Sequence, residues 1–318
     1  MRVLITGMGG EIGTRTARLL EGRDDIEAVS GIDFEPPRRL LRLAEFHWIR
    51  PDDRDGIVDV VEAFRPDSVV HLGVYEPHSR STPDQASTRT LEGTSTLLES
   101  LDRVGSVRRI VARSGIEVYG RSGSAPLVPD EEAPVQPSSQ FGHILSEMEE
   151  ELTTWGASAG VSVARLRFAP ISGAHMPSPL ARYLRMPVVP VGWPADCRFT
   201  LVHVNDVCSS ILAALQADVD MALNVVGHGS LSPTEAVRMG SRLPLPVVGP
   251  ALRLAGVLTE LLGSPLPDHT RELLTRGRLA DGSQAKKVLG MQPDLSTADV
   301  VGDVYQWGAD DYLRGSAA

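Results

Sequence analysis

Hydrophobic residues along this chain gather into short unbroken runs, separated by stretches in which they recur every three or four positions. Arg2-Val-Leu-Ile-Thr6 is the first run, and Gly7 ends it. Ile12, Thr16, Leu19 and Leu20 then follow at helical spacing. Ile26–Ile32, Glu45–Ile49, Ser68–Val74, Val107–Ala112 and Val161–Phe168 read as further strands. The unbroken apolar runs among them are what a parallel sheet covered on both faces demands. Helices are predicted from the acidic segment 51–55 through Phe64, over Gln85–Val104, and from Ser138 to Ala159. This alternation predicts an α/β protein with a doubly wound parallel sheet and right-handed crossovers.

Past Phe168 the rhythm breaks. Pro170, Pro177, Pro179, Pro187, Pro190 and Pro194 punctuate short segments, which predicts a smaller, irregular C-terminal substrate lobe. Strands are expected at Phe199–Val204 and Met221–Val226, around a helix at Asn205–Ala217. Later helices are expected at Ser232–Gly240, Pro250–Leu262, Ser283–Gly290 and Thr297–Leu313. The division that follows is a first domain over 1–174, to which 198–228 returns, and a smaller lobe from 175–197 and 229–318.

Thr6-Gly-Met-Gly-Gly-Glu-Ile-Gly13 links the first strand to the first helix, the order a Rossmann-like dinucleotide site requires. Gly7 permits the sharp turn, Gly10 leaves room for a pyrophosphate, and Gly13 lets the helix lie close on the strand. The phosphates would meet the helix N-terminus at Glu11 and Ile12, where free N–H groups and the helix dipole favour an anion. Asp33 ends the second strand about twenty residues on, where a carboxylate hydrogen-bonds the ribose hydroxyls. Arg38 and Arg39 are placed for a 2′-phosphate, but Asp33 would repel it, so NAD is expected over NADP.

Charge narrows the partners. A net charge of −10 over 318 residues provides no basic face for nucleic acid or an anionic membrane. Cys197 and Cys208 form no framework and no metal spacing, and no apolar stretch reaches the roughly 18 residues of a membrane span. The expectation is a soluble cytoplasmic protein with a small-molecule ligand and no metal.

With these residues in place the chain resembles the extended short-chain dehydrogenase/reductases, the NAD-dependent nucleotide-sugar epimerases and dehydratases. The glycine motif has that family's spacing, and Asp52 to Asp55 resembles its Asp-x-Arg-Asp segment, which implies an adenine contact for Asp52. Val70-His-Leu-Gly73 resembles its His-Leu-Ala-Ala strand end, which implies that Leu72 and Gly73 border the cofactor. Gly93-Thr94, Val118-Tyr-Gly120, Val202-His-Val-Asn-Asp206-Val, Asn224-Val-Val-Gly227 and Asp281 with Lys286–Gly290 are similar to later family segments.

The departures fall on the chemistry. The resemblance implies a Tyr-x-x-x-Lys dyad, and its two positions hold Phe141 and Leu145, which exchange no proton. The family's Ser or Thr is Gly115, with Ser114 one step away and so on the opposite face of a strand. Its helix asparagine is Thr90, and the one ahead of Gly173 is Pro170. Glu117 stands where the dehydratases carry a glutamate, and His143 lies roughly 200° around the helix from Phe141. Both are candidate acid/base groups; a strand-end carboxylate and a solvent-facing histidine are their plainer readings. Glu147–Glu151 reads as a solvated face.

Tyr75, His78 and Arg80 follow the fourth strand and are placed to meet substrate. Arg198 resembles a phosphate-binding arginine, with Arg271, Arg276 and Arg278 as weaker candidates. Two functions remain open: an NAD(H)-binding protein with impaired or atypical redox chemistry, or an active epimerase, dehydratase or lyase with substitute acid/base groups. The resemblance also implies a homodimer through helices 85–104 and 138–159, whose stripes (Leu91, Leu97, Leu98, Leu101; Ile144, Leu145, Met148, Leu152) would face a partner.

Overall fold

The computed structural model of the chain describes residues 1–78, 81–121, 125–173, 175–176, 178–193, 197–248 and 266–315. Its first half alternates as the pattern requires: β1 (Arg2–Thr6), α1 (Glu11–Leu20), β2 (Ala28–Asp33), β3 (Glu45–Trp48), α2 (Arg54–Phe64), β4 (Ser68–His71), α3 (Pro83–Val104) and β5 (Arg109–Gly115). A 3-10 turn (Ile116–Tyr119), α4 (Gln140–Ala159), β6 (Ser162–Phe168), β7 (Ile171–Ser172), α5 (Pro179–Leu184), β8 (Val188–Trp193) and β9 (Val202–His203) follow. The described chain ends through α6 (Val204–Ala217), β10 (Ala222–Val225), α7 (Pro233–Met239), β11 (Leu243–Val248), α8 (Asp268–Arg276), α9 (Ser283–Leu289) and α10 (Thr297–Gly315).

Seven parallel strands form the main sheet in the order β10-β6-β5-β4-β1-β2-β3. The order reverses between β1 and β4, and ligands of such sheets collect in the crevice at that point. Val3, Leu4 and Ile5 are wholly buried, as a strand covered on both faces must be. Local sequence fixes the helices that frame the crevice. Thr82 and Gln85 form a capping box at the start of α3, and Gly105 ends it in the left-handed conformation. Ser139 accepts from the Gly142 N–H to start α4, and Asp53 accepts from the Gly56 N–H to start α2.

His71 joins three of these elements. Its Nδ1 lies 2.8 Å from Thr6 Oγ1 and its Nε2 3.0 Å from Thr94 Oγ1. Thr94 already donates to the Thr90 carbonyl, so His71 carries its proton on Nε2 and donates it to Thr94, while Thr6 donates to Nδ1. Thr6 Oγ1 in turn accepts from the N–H groups of Leu72 and Gly73. Burial pulls the His71 pKa down to about 4, so the ring is neutral.

The structure departs from the expected pattern in three places. β4 stops at His71 rather than Val74; beyond it Leu72, Gly73 and Val74 leave the ladder to line the crevice. Only Val202–His203 of the expected strand 199–204 pairs as one, with β7, while Phe199 bridges to Leu231 and Arg278. Among the prolines, β8 and β11 pair in parallel from Val188↔Leu243 to Val248↔Trp193. In a two-stranded ribbon both strands are edges, so a proline whose nitrogen points outward loses no ladder bond. The expected helix 250–262 lies outside the described residues.

The buried apolar residues form one large cluster on the main sheet and a second one of residues such as Tyr183, Val189, Phe199, Leu273 and Val300. Leu97, Leu98 and Leu101 of α3, with Ile144, Leu145, Met148 and Leu152 of α4, are buried within the chain. That corrects the expected partner-facing stripe: packing α3 and α4 on the sheet and on each other uses these side chains. Among the stripe residues Leu91 is partly exposed, and its exposed neighbours include Glu92, Glu99, Glu147 and Glu150.

Candidate functional site

The crevice between β1 and β4 is a cleft lined by Gly7, Gly10, Glu11, Ile12, Gly13, Asp33, Leu72 and Gly73, the expected cofactor set apart from Asp52. Gly7 turns the chain with φ 73°. A Cβ on Gly13 would lie 2.2 Å from the Gly7 carbonyl oxygen, so only glycine lets α1 lie this close to the loop. Gly10 has nothing but that same carbonyl near its Cβ position, which leaves its outer side open. The cradle therefore fits a pyrophosphate.

Asp33 accepts from the N–H groups of Gly9 at 2.9 Å, Phe34 at 2.7 Å and Glu35 at 3.2 Å. Burial raises its pKa against these three donors. A carboxylate has about four acceptor positions, so one remains for a ribose hydroxyl. Arg38 is paired with Glu35 at 3.0 Å, and Arg39 with the buried Glu11 at 3.0 Å. Both arginines are thus committed to carboxylates and away from a 2′-phosphate. Glu11 also holds Arg15 at 2.6 Å, which neutralises its charge at the start of α1.

Asp52 does not join this set. Its exposed carboxylate bonds Arg50 at 3.0 Å and sits in an outer hollow with Trp48 and Arg89. Tyr75 does line the cleft, with its ring 6.0 Å from that of Phe34 and Arg89 over both. His78 is not among the lining residues; it takes φ 59° and its carbonyl accepts from Arg182, and Arg80 lies outside the described residues. Arg198 turns away to Ser230 and Glu235 because Phe199 pairs with Leu231. Neither cavity is lined by it.

A second chamber adjoins the cleft, and Glu76, Arg113 and Met176 line both. Phe141 and Leu145, on the first turns of α4, are buried. Leu145 packs beside Gly115, and the Phe141 ring lies 5.1 Å from that of His269. Glu117, on the 3-10 turn, is buried and lines this chamber. Its Oε2 stands 2.3 Å from where a Cβ on Gly115 would be. Gly115 thus makes room for the Glu117 carboxylate.

Ser114 also borders the chamber, but its hydroxyl donates to Glu149, and His143 is exposed. Glu149 corrects the solvated reading of 147–151. It is buried, bonds Arg167 at 2.6 Å, and through Arg167 reaches Tyr119 and Asn224 in a satisfied polar chain beneath the chamber. Thr90 Oγ1 accepts from the Tyr75 N–H, and Pro170 lines the chamber.

Sequence reasoning missed His269 and Glu76. His269 Nε2 lies 3.0 Å from Glu76 Oε1, and its Nδ1 lies 3.6 Å from Asp268. Burial works against its charge, but the Asp268 and Glu76 carboxylates prevail and raise its pKa to about 9. Arg113 is desolvated, with Glu76 and Glu117 nearby to support its charge. Arg278 is fully buried, paired with Glu272, and its Nε lies 3.9 Å from Glu117. Of the weaker arginine candidates, Arg276 is exposed and Arg271 half-buried. A signal for α8 was present: Pro267-Asp268 and Gly277 are start and stop marks that place His269 and Glu272 on a helix.

Among the described residues, no side-chain cluster has the arrangement of a metal site, and no helix is long and apolar enough to cross a membrane. The sequence model of the NAD dependent epimerase/dehydratase family matches residues 3–226. An uncharacterized protein of Mycobacterium tuberculosis is 30% identical over 331 residues, covering 98% of this chain and 83% of that protein. A probable dTDP-glucose 4,6-dehydratase of Sinorhizobium fredii is 25% identical over 90% of this chain and 84% of its own length. The UDP-glucuronic acid 4-epimerase of Bacillus cereus, solved with UDP-glucuronic acid and NAD, superposes with a TM-score of 0.77 at 17% identity, over 98% of this chain and 100% of that one. The UDP-glucose 4-epimerase of Thermotoga maritima, solved with UDP-glucose, gives 0.76 at 20% identity, again over 98% and 100%. At these identities the structural likeness establishes the fold.

Proposed function

We propose that this chain, which belongs to the NAD dependent epimerase/dehydratase family, binds NAD(H) in its glycine-loop cleft and departs from the family's tyrosine–lysine route of proton transfer. One observation carries this reading. The cofactor cleft is complete, while the adjoining positions 141 and 145 hold a buried phenylalanine and a buried leucine. Gly7, Gly10, Gly13 and Asp33 hold the dinucleotide, and NAD is favoured over NADP because Arg38 and Arg39 are already paired. When bound, the dinucleotide supplies a hydride acceptor. Binding and ordinary family turnover should therefore separate.

A second reading is favoured by the charged groups of the chamber: an enzyme on a nucleotide sugar or another small biosynthetic intermediate, with Glu117 or its neighbours as substitute acid/base groups. The solved neighbours that carry UDP-sugars support a hydroxylated substrate of that kind. Titration of NAD, NADH and NADP by calorimetry tests the first reading. NAD should bind at least tenfold more tightly than NADP, and Asp33→Ala should weaken NAD by about tenfold, near 1.4 kcal/mol. Tighter NADP binding, unchanged by Asp33→Ala, would overturn it. Oxidation of UDP-glucose or UDP-glucuronic acid at a rate of roughly 1–10³ s⁻¹, abolished by Glu117→Gln, would establish the second reading instead.

A further inference from the structure

Glu76 and His269 stand 193 residues apart in the chain and in contact in space, at the place where cleft and chamber meet. We propose that these two residues are the proton-exchanging pair of this site, with Glu76 taking the proton of a substrate hydroxyl in the chamber and His269 holding Glu76 in place. The proposal rests on the reading of the cleft as an NAD(H) site.

Three features of the geometry carry it. First, Glu76 lines both cavities, so its carboxylate is available to a substrate that approaches the bound dinucleotide. Second, the imidazole is held on two sides. Its ring lies against Phe141 and Nε2 donates to Glu76, while Nδ1 makes no hydrogen bond and lies 3.6 Å from Asp268, which is itself held by the Gln140 N–H at the start of α4. A base oriented by a partner that is oriented by a third group is the arrangement of activated proton-transfer sites. Third, the remaining chamber wall includes Phe168, Ile171, Met176, Leu180 and Leu273, which exclude water from the transferred proton.

The charges around the pair also exceed what a structural ion pair needs. Glu76 from the loop after β4, Glu117 from the 3-10 turn and Asp268 on α8 itself all bear on His269. Arg113 from β5 faces Glu76 and Glu117, and Arg278 faces Glu117 and Glu272. His269, Arg113 and Arg278 thus share four carboxylates, the kind of cluster found at functional sites, and of those four Glu76 is the one that lines both cavities.

With NAD⁺ bound, a secondary alcohol would lose its C–H hydrogen with the bonding pair to the dinucleotide, and its O–H proton would pass to the Glu76 carboxylate. The carbon–oxygen bond becomes a carbonyl, and Glu76 becomes a neutral acid beside a His269 that remains protonated. Reduction of the carbonyl runs the same transfers in reverse. The arginine expected to hold a diphosphate, Arg198, is paired with Glu235 away from both cavities. The hydroxyl compound is therefore one that needs no diphosphate anchor at that position.

Proton counting tests the pair without any turnover. Binding of NAD⁺ and of NADH is measured by calorimetry at pH 9 in buffers of contrasting ionisation enthalpy. His269 is about half protonated there, and the positive nicotinamide of NAD⁺ disfavours its charge where the neutral ring of NADH does not. NAD⁺ should release a larger fraction of a proton than NADH, and His269→Gln should abolish the difference. Glu76→Gln should move it to lower pH. In the unaltered protein, an imidazole ¹⁵N resonance with a midpoint near 9 should move on addition of NAD⁺, which requires no variant to fold. An equal proton difference in His269→Gln, or a resonance that NAD⁺ leaves unmoved, overturns the pair while the cofactor reading stands. Failure of both dinucleotides to bind overturns the cofactor reading, and the pair with it.

Discussion

The cleft and the chamber share Glu76, Arg113 and Met176 as a common wall, yet they are made of different material. The cleft is chiefly backbone: a left-handed turn at Gly7, a close approach at Gly13, and N–H groups that hold Asp33. The chamber is side chains delivered by β5, the 3-10 turn, α4, β6, α5 and α8. A backbone site admits few substitutions, because a Cβ in the wrong place meets atoms that cannot move. A side-chain site can accommodate a changed set while the fold persists, and the room that Gly115 leaves for the Glu117 carboxylate is such an accommodation. The proposed function rests on this difference: a complete cofactor cradle beside a buried phenylalanine at 141 and a buried leucine at 145.

The sharpest way to break that comparison is to put a side chain into the backbone site. Gly13→Val forces its branches onto the Gly7 carbonyl, and a loss of about 3 kcal/mol or more in urea denaturation is expected, with dinucleotide binding gone. A neutral effect would show that the cleft is as replaceable as the chamber.

The next effect is a pH dependence confined to the chamber. His269 has a folded pKa of about 9 against an ordinary 6.5. Its contribution is therefore fully present below pH 6.5 and is lost as pH rises through 9. The size is on the order of 3 kcal/mol. Stability of the native chain should fall across that window by more than that of His269→Gln. Parallel curves for the two proteins would remove the charge from the site.

A smaller effect tests the steric exchange. Gly115→Ser should cost about 1–2 kcal/mol by displacing the Glu117 carboxylate. In Gly115→Ser with Glu117→Ala that cost should shrink, and a double-mutant cycle reads the coupling directly. Additive losses would mean that the two positions are independent. The smallest expected effect concerns assembly. A dimer through α3 and α4 would bring acidic outer faces together, so its light-scattering mass should rise with salt as like charges are screened. A mass that falls with salt would point to a different surface.

Legibility followed the same division. The alternation of strands and helices, the glycine loop and Asp33 were readable because each depends on residues close in sequence with a fixed backbone requirement. The chamber was readable as absences at 115, 141 and 145 and as the single carboxylate of Glu117. His269 gave no sign of its role because its partner, Glu76, comes from the other end of the chain. Glu149 was misread for a related reason. Its neighbours Glu147 and Glu150 are exposed, and nothing local shows that one helix position faces Arg167 on β6. The β8–β11 ribbon was hidden by prolines that an edge strand tolerates.

The hydroxyl–imidazole–hydroxyl relay through Thr6, His71 and Thr94 runs in one direction only, and that gives the cleft floor an acid fuse. Below about pH 4 the ring gains a proton on Nδ1 and turns from acceptor to donor. Thr6 then faces a donor where it had donated, and its oxygen turns away from the Gly73 amide, which it alone holds, while the Leu72 amide keeps the Thr6 backbone carbonyl. The Gly73 amide should be the first at the cleft floor to exchange deuterium as the solution is acidified, while the amides of Val3, Leu4 and Ile5 remain protected.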